Sequence, residues 1–171
     1  MPIPGADLDL WPAERPQVDA ESIVMDMLNE SFAPDAQGLG WDGQPAREIP
    51  PMVFNEIDID TDAYAQLTDV VIFHAEPPIP ATSNMRGRVW QVDVELLVES
   101  TDVDRAFRLA SFVRQAVMAW PRMGSSVHGR VIRVQFPPAF AKAASGKQAT
   151  AKGVKQYSTG SACTLLVSDR L

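Results

Sequence analysis

From Arg88 to Pro121 the chain runs RVWQVDVELLVES directly into TDVDRAFRLASFVRQAVMAWP, and the period of its apolar residues changes once along the way. Trp90, Val92, Val94, Leu96 and Val98 recur every second residue, the spacing that lines one face of a pleated strand. Val103, Ala106, Phe107, Ala110, Val113, Val117 and Trp120 then recur every three to four, the spacing of one helix face. Ser100, Thr101 and Asp102 stand at the switch, with short oxygen-bearing side chains suited to accept from the first N–H groups of a helix. A strand is thus predicted to feed a helix. Each has an apolar face to bury, so the unit demands a layered core. No catalytic group is evident on it, and it reads as scaffold.

Around this unit the punctuation marks out the rest. Residues 1–18 hold Pro2, Pro4, Gly5, Pro12 and Pro16, which break any regular hydrogen-bond ladder, so an extended arm is expected. Leu8, Leu10 and Trp11 are its large anchors beyond Ile3; the arm either docks through them or is a plain solvated terminus. Asp19 is the expected N-cap of a helix with Ile23, Val24, Met27, Leu28 and Phe32 on one face, ending before Pro34. A turn-rich connector over 34–51 leads to a short possible strand starting near Met52. Val70–His74 is a β-branched run closed by Pro77, Pro78 and Pro80, expected to pair antiparallel with the strand that starts near Arg88.

After the central helix, a third strand is expected to put His128, Ile132, Val134 and Phe136 on one face and Val127 and Val131 on the other. A last strand over about Tyr157–Val167 aligns Tyr157, Cys163, Leu165 and Val167. The expected fold is α+β: a mostly antiparallel sheet of four to five strands covered by two helices, in the order α-(β)-β-β-α-β-β. With 171 residues, 46% of them hydrophobic, one domain over 19–171 is the default. Its interruption at 137–156, PPAFAKAASGKQATAKGVKQ, is expected to be a flexible basic loop carrying Lys142, Lys147, Lys152 and Lys155. That loop either touches an acidic partner or phosphates, or is a tolerated insertion in a hairpin.

Residues 1–100 hold 19 Asp or Glu against four Lys or Arg, and residues 101–171 hold three against 11, so the two parts carry −15 and +8. Such a division steers one copy toward another, or merely solvates two surfaces. The net charge of −7 argues against free nucleic-acid binding. Cys163, the single cysteine, excludes an intrachain disulfide and fits a reducing assembly compartment. No apolar run is long enough to span a bilayer, and MPIPGADLDLWPAERPQ does not read as a secretory signal.

Apparent catalytic motifs fail on context. Gly38–Gly43 matches GxGxxG but follows Pro34–Asp35 and runs into Gln44–Pro45, where a phosphate cradle needs a preceding strand and a following helix. Asp58, Asp60, Asp62 and Asp69 imitate a calcium loop, yet Ala63 occupies the position of its turn glycine. His74 and His128 lack HxxxH or CxxC companions, and Gly124–Gly129 is not a nucleophile elbow. No catalytic residue, metal site or cofactor is expected.

The run of an N-terminal helix, VVIFHAEP, RVWQVDVELLVES, DRAFRLASFVRQAVMAW and a late hairpin ending YSTGSACTLLV resembles tail terminator proteins of long-tailed bacteriophages, particularly those of actinobacterial hosts. The likeness covers roughly residues 20–170; the Pro-rich arm and lysine loop are less typical. It implies a virion structural protein, not an enzyme, that forms a ring, commonly a hexamer, on the end of the tail tube. That ring ends tube polymerisation and offers the head-joining surface. Implied partners are further copies of itself, the tail tube protein and a head-completion or neck protein, with DNA passing through the ring and no membrane. The implied location is the head–tail junction of the virion, after assembly in the host cytoplasm. Another head–tail connector, a head-closure or adaptor protein, is the alternative, and a small α+β enzyme or a host interaction module the more distant ones. Contacts between copies are expected at Asp93, Glu95 and Glu99 on the strand and Arg105, Arg108 and Arg114 on the helix, with Leu8, Leu10 and Trp11 as a latch.

Overall fold

Asp19 opens the first element. Its carboxylate accepts from the Ser22 backbone N–H at 3.0 Å and from the Ser22 hydroxyl at 2.7 Å, so α1 (Ala20–Phe32) starts at the expected N-cap. Those two bonds, and to a smaller degree nearby His128, hold the Asp19 carboxyl below its ordinary range. Ile23, Val24, Met27, Leu28 and Phe32 are buried on one face, as their spacing predicts. Val18, placed in the arm by its sequence, is buried too, so core packing begins one residue before the cap. The computed structural model describes residues 18–45, 52–55, 69–81, 89–136, 146–149 and 155–169.

The strands that follow are β1 (Met52–Asn55), β2 (Asp69–Ala75), β3 (Ile79–Pro80) and β4 (Val89–Ser100). Next come α2 (Val103–Ala119), a 3₁₀ turn (Trp120–Arg122), β5 (Arg130–Gln135), β6 (Gly146–Ala149) and β7 (Lys155–Ser168). The sheet runs β1-β2-β4-β7-β5, with β3 beside β4 and β6 beside β7. Among the described residues only β1 and β2 pair in parallel; the other strand pairs are antiparallel. This is the expected α+β fold, and the strand near Met52 forms.

Register places the core. β4 pairs with β7 along its whole length, setting Trp90 opposite Val167, Val92 opposite Leu165 and Val94 opposite Cys163, all buried. Val98, Leu96 and Val94 likewise face Val71, Phe73 and Ala75 on β2. These side chains share one cluster with the inner faces of both helices, so α1 and α2 cover the same side of the sheet. Asp102 caps α2 by accepting from the Asp104 N–H at 2.9 Å, which turns the chain from strand to helix at the predicted point.

Four details depart from the sequence reading. Leu109, outside the predicted stripe, is fully buried, whereas Val103 and Phe107 are exposed: α2 is rolled so that Ala106, Leu109, Val113 and Val117 meet the sheet. In β5 the pairing slips between Val131 and Arg133, leaving Ile132 as an extra, exposed residue. That bulge reverses the phase, so Val131 is the buried residue and shares the core with partly buried Val134 and Phe136. The proline run after β2 does not end pairing, because Ile79 and Pro80 resume it against Gln91 and Trp90 as an edge strand. Finally, the expected loop at 137–156 contains β6, whose residues from Gly146 to Ala149 pair with Ser158 to Lys155, so β7 starts before Tyr157.

Gly129 sits where α1, β5 and the end of β7 converge. A Cβ there would lie 2.5 Å from the Ser168 carbonyl oxygen and 2.8 Å from Ile23 Cδ1. Gly129→Ala is therefore expected to destabilise the fold by about 2 kcal/mol through overpacking against backbone, read as a lower urea midpoint at unchanged slope.

Candidate interaction surfaces

The GxGxxG segment folds back on itself. Asp35 Oδ1 accepts from the N–H groups of Gln37 at 2.8 Å and Leu39 at 2.9 Å, and Asp42 Oδ1 accepts from the Gln44 N–H at 3.2 Å. The N–H groups of Gly38, Gly40 and Gly43 donate to carbonyls within the same loop, while Gly38 and Gly43 take φ of 77° and 72°. With its donors used internally, the segment offers no phosphate cradle. Its role is to project Trp41 and Asp42 against α2.

There they meet Arg105. Arg105 Nε donates to both oxygens of Asp69 at 2.9 Å, Nη2 donates to Asp69 Oδ2 at 2.7 Å, and Nη1 reaches Asp42 Oδ2 at 3.4 Å. Ser100 Oγ donates to Asp69 Oδ1 at 2.8 Å, and the guanidinium lies over the Trp41 ring, 4.9 Å from its centroid. The Trp41 ring packs against Phe112 at 5.9 Å, which in turn meets Phe32 at 5.4 Å. Bonding to Asp69 raises the Arg105 pKa above its ordinary value in spite of burial, so the charge is permanent. Loop, β2, β4, α1 and α2 are pinned together here. The predicted contact residue Arg105 is thus committed within its own chain, and the cluster is a structural clamp in which one guanidinium serves two carboxylates.

The remaining predicted contact residues divide. Asp93 and Glu95 are exposed on the sheet face opposite the helices, with the Thr164 hydroxyl donating to Asp93 Oδ1 at 2.7 Å. Glu99, two residues further along that face, is buried, and burial raises its pKa. Its side chain does not present a surface charge. Arg108 and Arg114 are exposed on α2, Arg114 lying 4.7 Å from the Phe136 ring centroid. Lys147 lies in β6 opposite Tyr157, and Lys155 starts β7 opposite Ala149. Leu8, Leu10, Trp11, Lys142 and Lys152 lie outside the described residues, as do Asp58, Asp60 and Asp62.

A groove missed by sequence reasoning opens beside Asp93 and Glu95. It encloses about 690 Å³ and is walled by Glu76, Pro77 and Ile79 after β2 and by Ala162 and Thr164 on β7. It exists because the chain leaves the ladder between Ala75 and Ile79, anchored by the Glu76 N–H donating to the Asp93 carbonyl at 2.9 Å. The proline pair signalled the interruption but not the hollow beneath it.

Cys163 and His74 are neighbouring groups with titratable side chains. Burial first, and Asp93 second, push the buried Cys163 thiol up to about 12. His74 Nε2 lies 3.4 Å from Glu76 Oε1. Among the described residues no cluster of three or more His, Cys, Asp or Glu side chains is placed to hold a metal ion, and no helix is long and apolar enough to cross a membrane. The chain matches no protein-family model and no curated protein.

Proposed function

We propose that this chain is a structural, non-catalytic phage protein that assembles as a ring on the end of the tail tube, stops addition of tube subunits and presents the head-joining surface. The observation that carries the reading is one α+β subunit with acidic residues exposed on its outer sheet face and arginines exposed on its covering helix. Local patches of opposite sign, one on the outer sheet face and one on α2, suit copies that join head to tail and close into a ring. The α+β fold is the one expected from the periodicity of the sequence, and it is on that element order that the tail terminator resemblance rests. In this role the partners are further copies, the tube protein and a neck or head-completion protein, and the site of action is the head–tail junction.

The decisive experiment mixes the purified protein with polymerising tail-tube protein and measures tube length by electron microscopy. Tubes capped at one end and halted in growth are expected. Unaltered growth, with binding to the portal side instead, would replace this reading with that of a head-closure or adaptor protein.

A further inference from the structure

We infer that the outer ridge of α2 on one copy seats in the groove between β3, β4 and β7 of the next. The inference rests on the ring reading above and deepens it by naming the two surfaces that meet. The groove carries three carboxylates, Glu76, Asp93 and Glu95, with no basic residue among the side chains that line it. Ile79, 60% exposed, gives it an apolar lip on a large side chain that no described residue covers. The small residues Ala162 and Thr164, opposite Glu95 and Asp93, form its β7 side and leave it hollow.

The complement is on the other side of the molecule. Phe107 and Met118 are 48% and 56% exposed on α2. Eleven residues apart, they stand on one side of the helix about three turns from each other. Ser111 and Arg114 lie between them on that side, Arg114 over the Phe136 ring, and Arg108 flanks it, all three exposed. A convex helix face with an apolar side chain near each end and two arginines thus complements a concave, partly apolar groove edged by carboxylates.

Both surfaces cannot meet within one chain. Leu109 and Val113, on the opposite side of α2, pack into the core on the inner sheet face, while Asp93 and Glu95 point out from the other face. A ridge-to-groove contact therefore joins each copy to the next heterologously, leaving an unused ridge at one end and an unused groove at the other until the ring closes. The same chain supplies both halves, which is why the occupant is a second copy.

The test uses the full chain and sedimentation velocity. The groove variant Asp93→Lys/Glu95→Lys and the ridge variant Arg108→Glu/Arg114→Glu are each expected to self-associate about a hundredfold more weakly than wild type. Mixed in equal amounts, they should regain the wild-type oligomer, because the intact ridge of one meets the intact groove of the other and the reversed groove and reversed ridge complement each other as well. Combining all four changes in one chain should restore the wild-type oligomer. Should a reversed chain fail to fold, Asp93→Asn/Glu95→Gln and Arg108→Gln/Arg114→Gln should each weaken self-association about tenfold, and their equal mixture should stop at a one-to-one heterodimer, where one intact groove meets one intact ridge. Wild-type association by either reversed variant, a mixture of folded variants that stays monomeric, or a wild-type chain that is monomeric throughout would overturn the inference. Tube length separates this from the wider reading. Capping by wild type with interface variants that still self-associate leaves the tube role standing and removes these surfaces; lost self-association with no wild-type effect on tube length does the reverse.

Discussion

Arg105→Ala is expected to cost about 3 kcal/mol of folding stability, one of the two largest losses available to a single substitution here. The reason is Asp69. Its side chain is 8% exposed and receives three of the guanidinium's hydrogen bonds, so removing the arginine leaves a carboxylate out of water with only the Ser100 hydroxyl to stabilise it. The loss sits at the lower end for buried pairs because the Arg105 side chain keeps 17% of its exposure. Trp41 also loses the cation over its face, which loosens the 34–45 loop from α2. Arg105→Lys should recover the charge but not the fork, and so still cost about 1–2 kcal/mol. The cleaner control is the double change Arg105→Ala/Asp69→Asn, which should destabilise less than Arg105→Ala alone because no buried charge is left unpaired. Urea unfolding monitored by circular dichroism reads all three; a midpoint for Arg105→Ala within about 0.3 M of wild type would mean that the clamp is not holding the fold.

That clamp also marks where the sequence could be read and where it could not. The alternation through Trp90–Val98 and the Asp19 and Asp102 caps depend on neighbours in the chain, and each came through intact. What failed was long-range. Asp69 and Arg105 are far apart in sequence, and only the β2–β4 register, which sets Asp69 opposite Ser100, brings the carboxylate beside the start of α2. An arginine on a helix between alternating charges reads as surface until that register is known. Glu99 misled in the same way: its parity was right, with its side chain on the outer face, but parity does not report burial. In β5 a single bulged residue reversed which of Val131 and Ile132 faces the core, an event with no signature in the apolar pattern. The charge division, by contrast, needed no register to be seen. Asp93, Glu95, Arg108 and Arg114 are exposed where their spacing put them, and they supply the surfaces on which assembly is proposed.

Trp120→Ala should bring the other large loss, about 4 kcal/mol. Trp120 is wholly buried and is among the largest side chains to be so, at the junction where α2 passes into the 3₁₀ turn before β5. Its indole Nε1 donates to Ser31 Oγ at 3.0 Å, and Ser31 Oγ donates in turn to the Met27 carbonyl at 2.6 Å, tying the end of α2 to the end of α1. Two contributions are mixed in that loss, packing volume and the hydrogen bond, and Trp120→Phe divides them. Phenylalanine keeps most of the apolar contact but not the N–H. Ser31 still has the Met27 carbonyl to donate to, so no buried donor is stranded and the bond itself is worth only about 1 kcal/mol. Trp120→Phe should therefore retain well over half of what Trp120→Ala loses. Equal losses for the two would instead assign the site's contribution to the helix-to-helix hydrogen bond, and Ser31→Ala should then reproduce them without touching the ring.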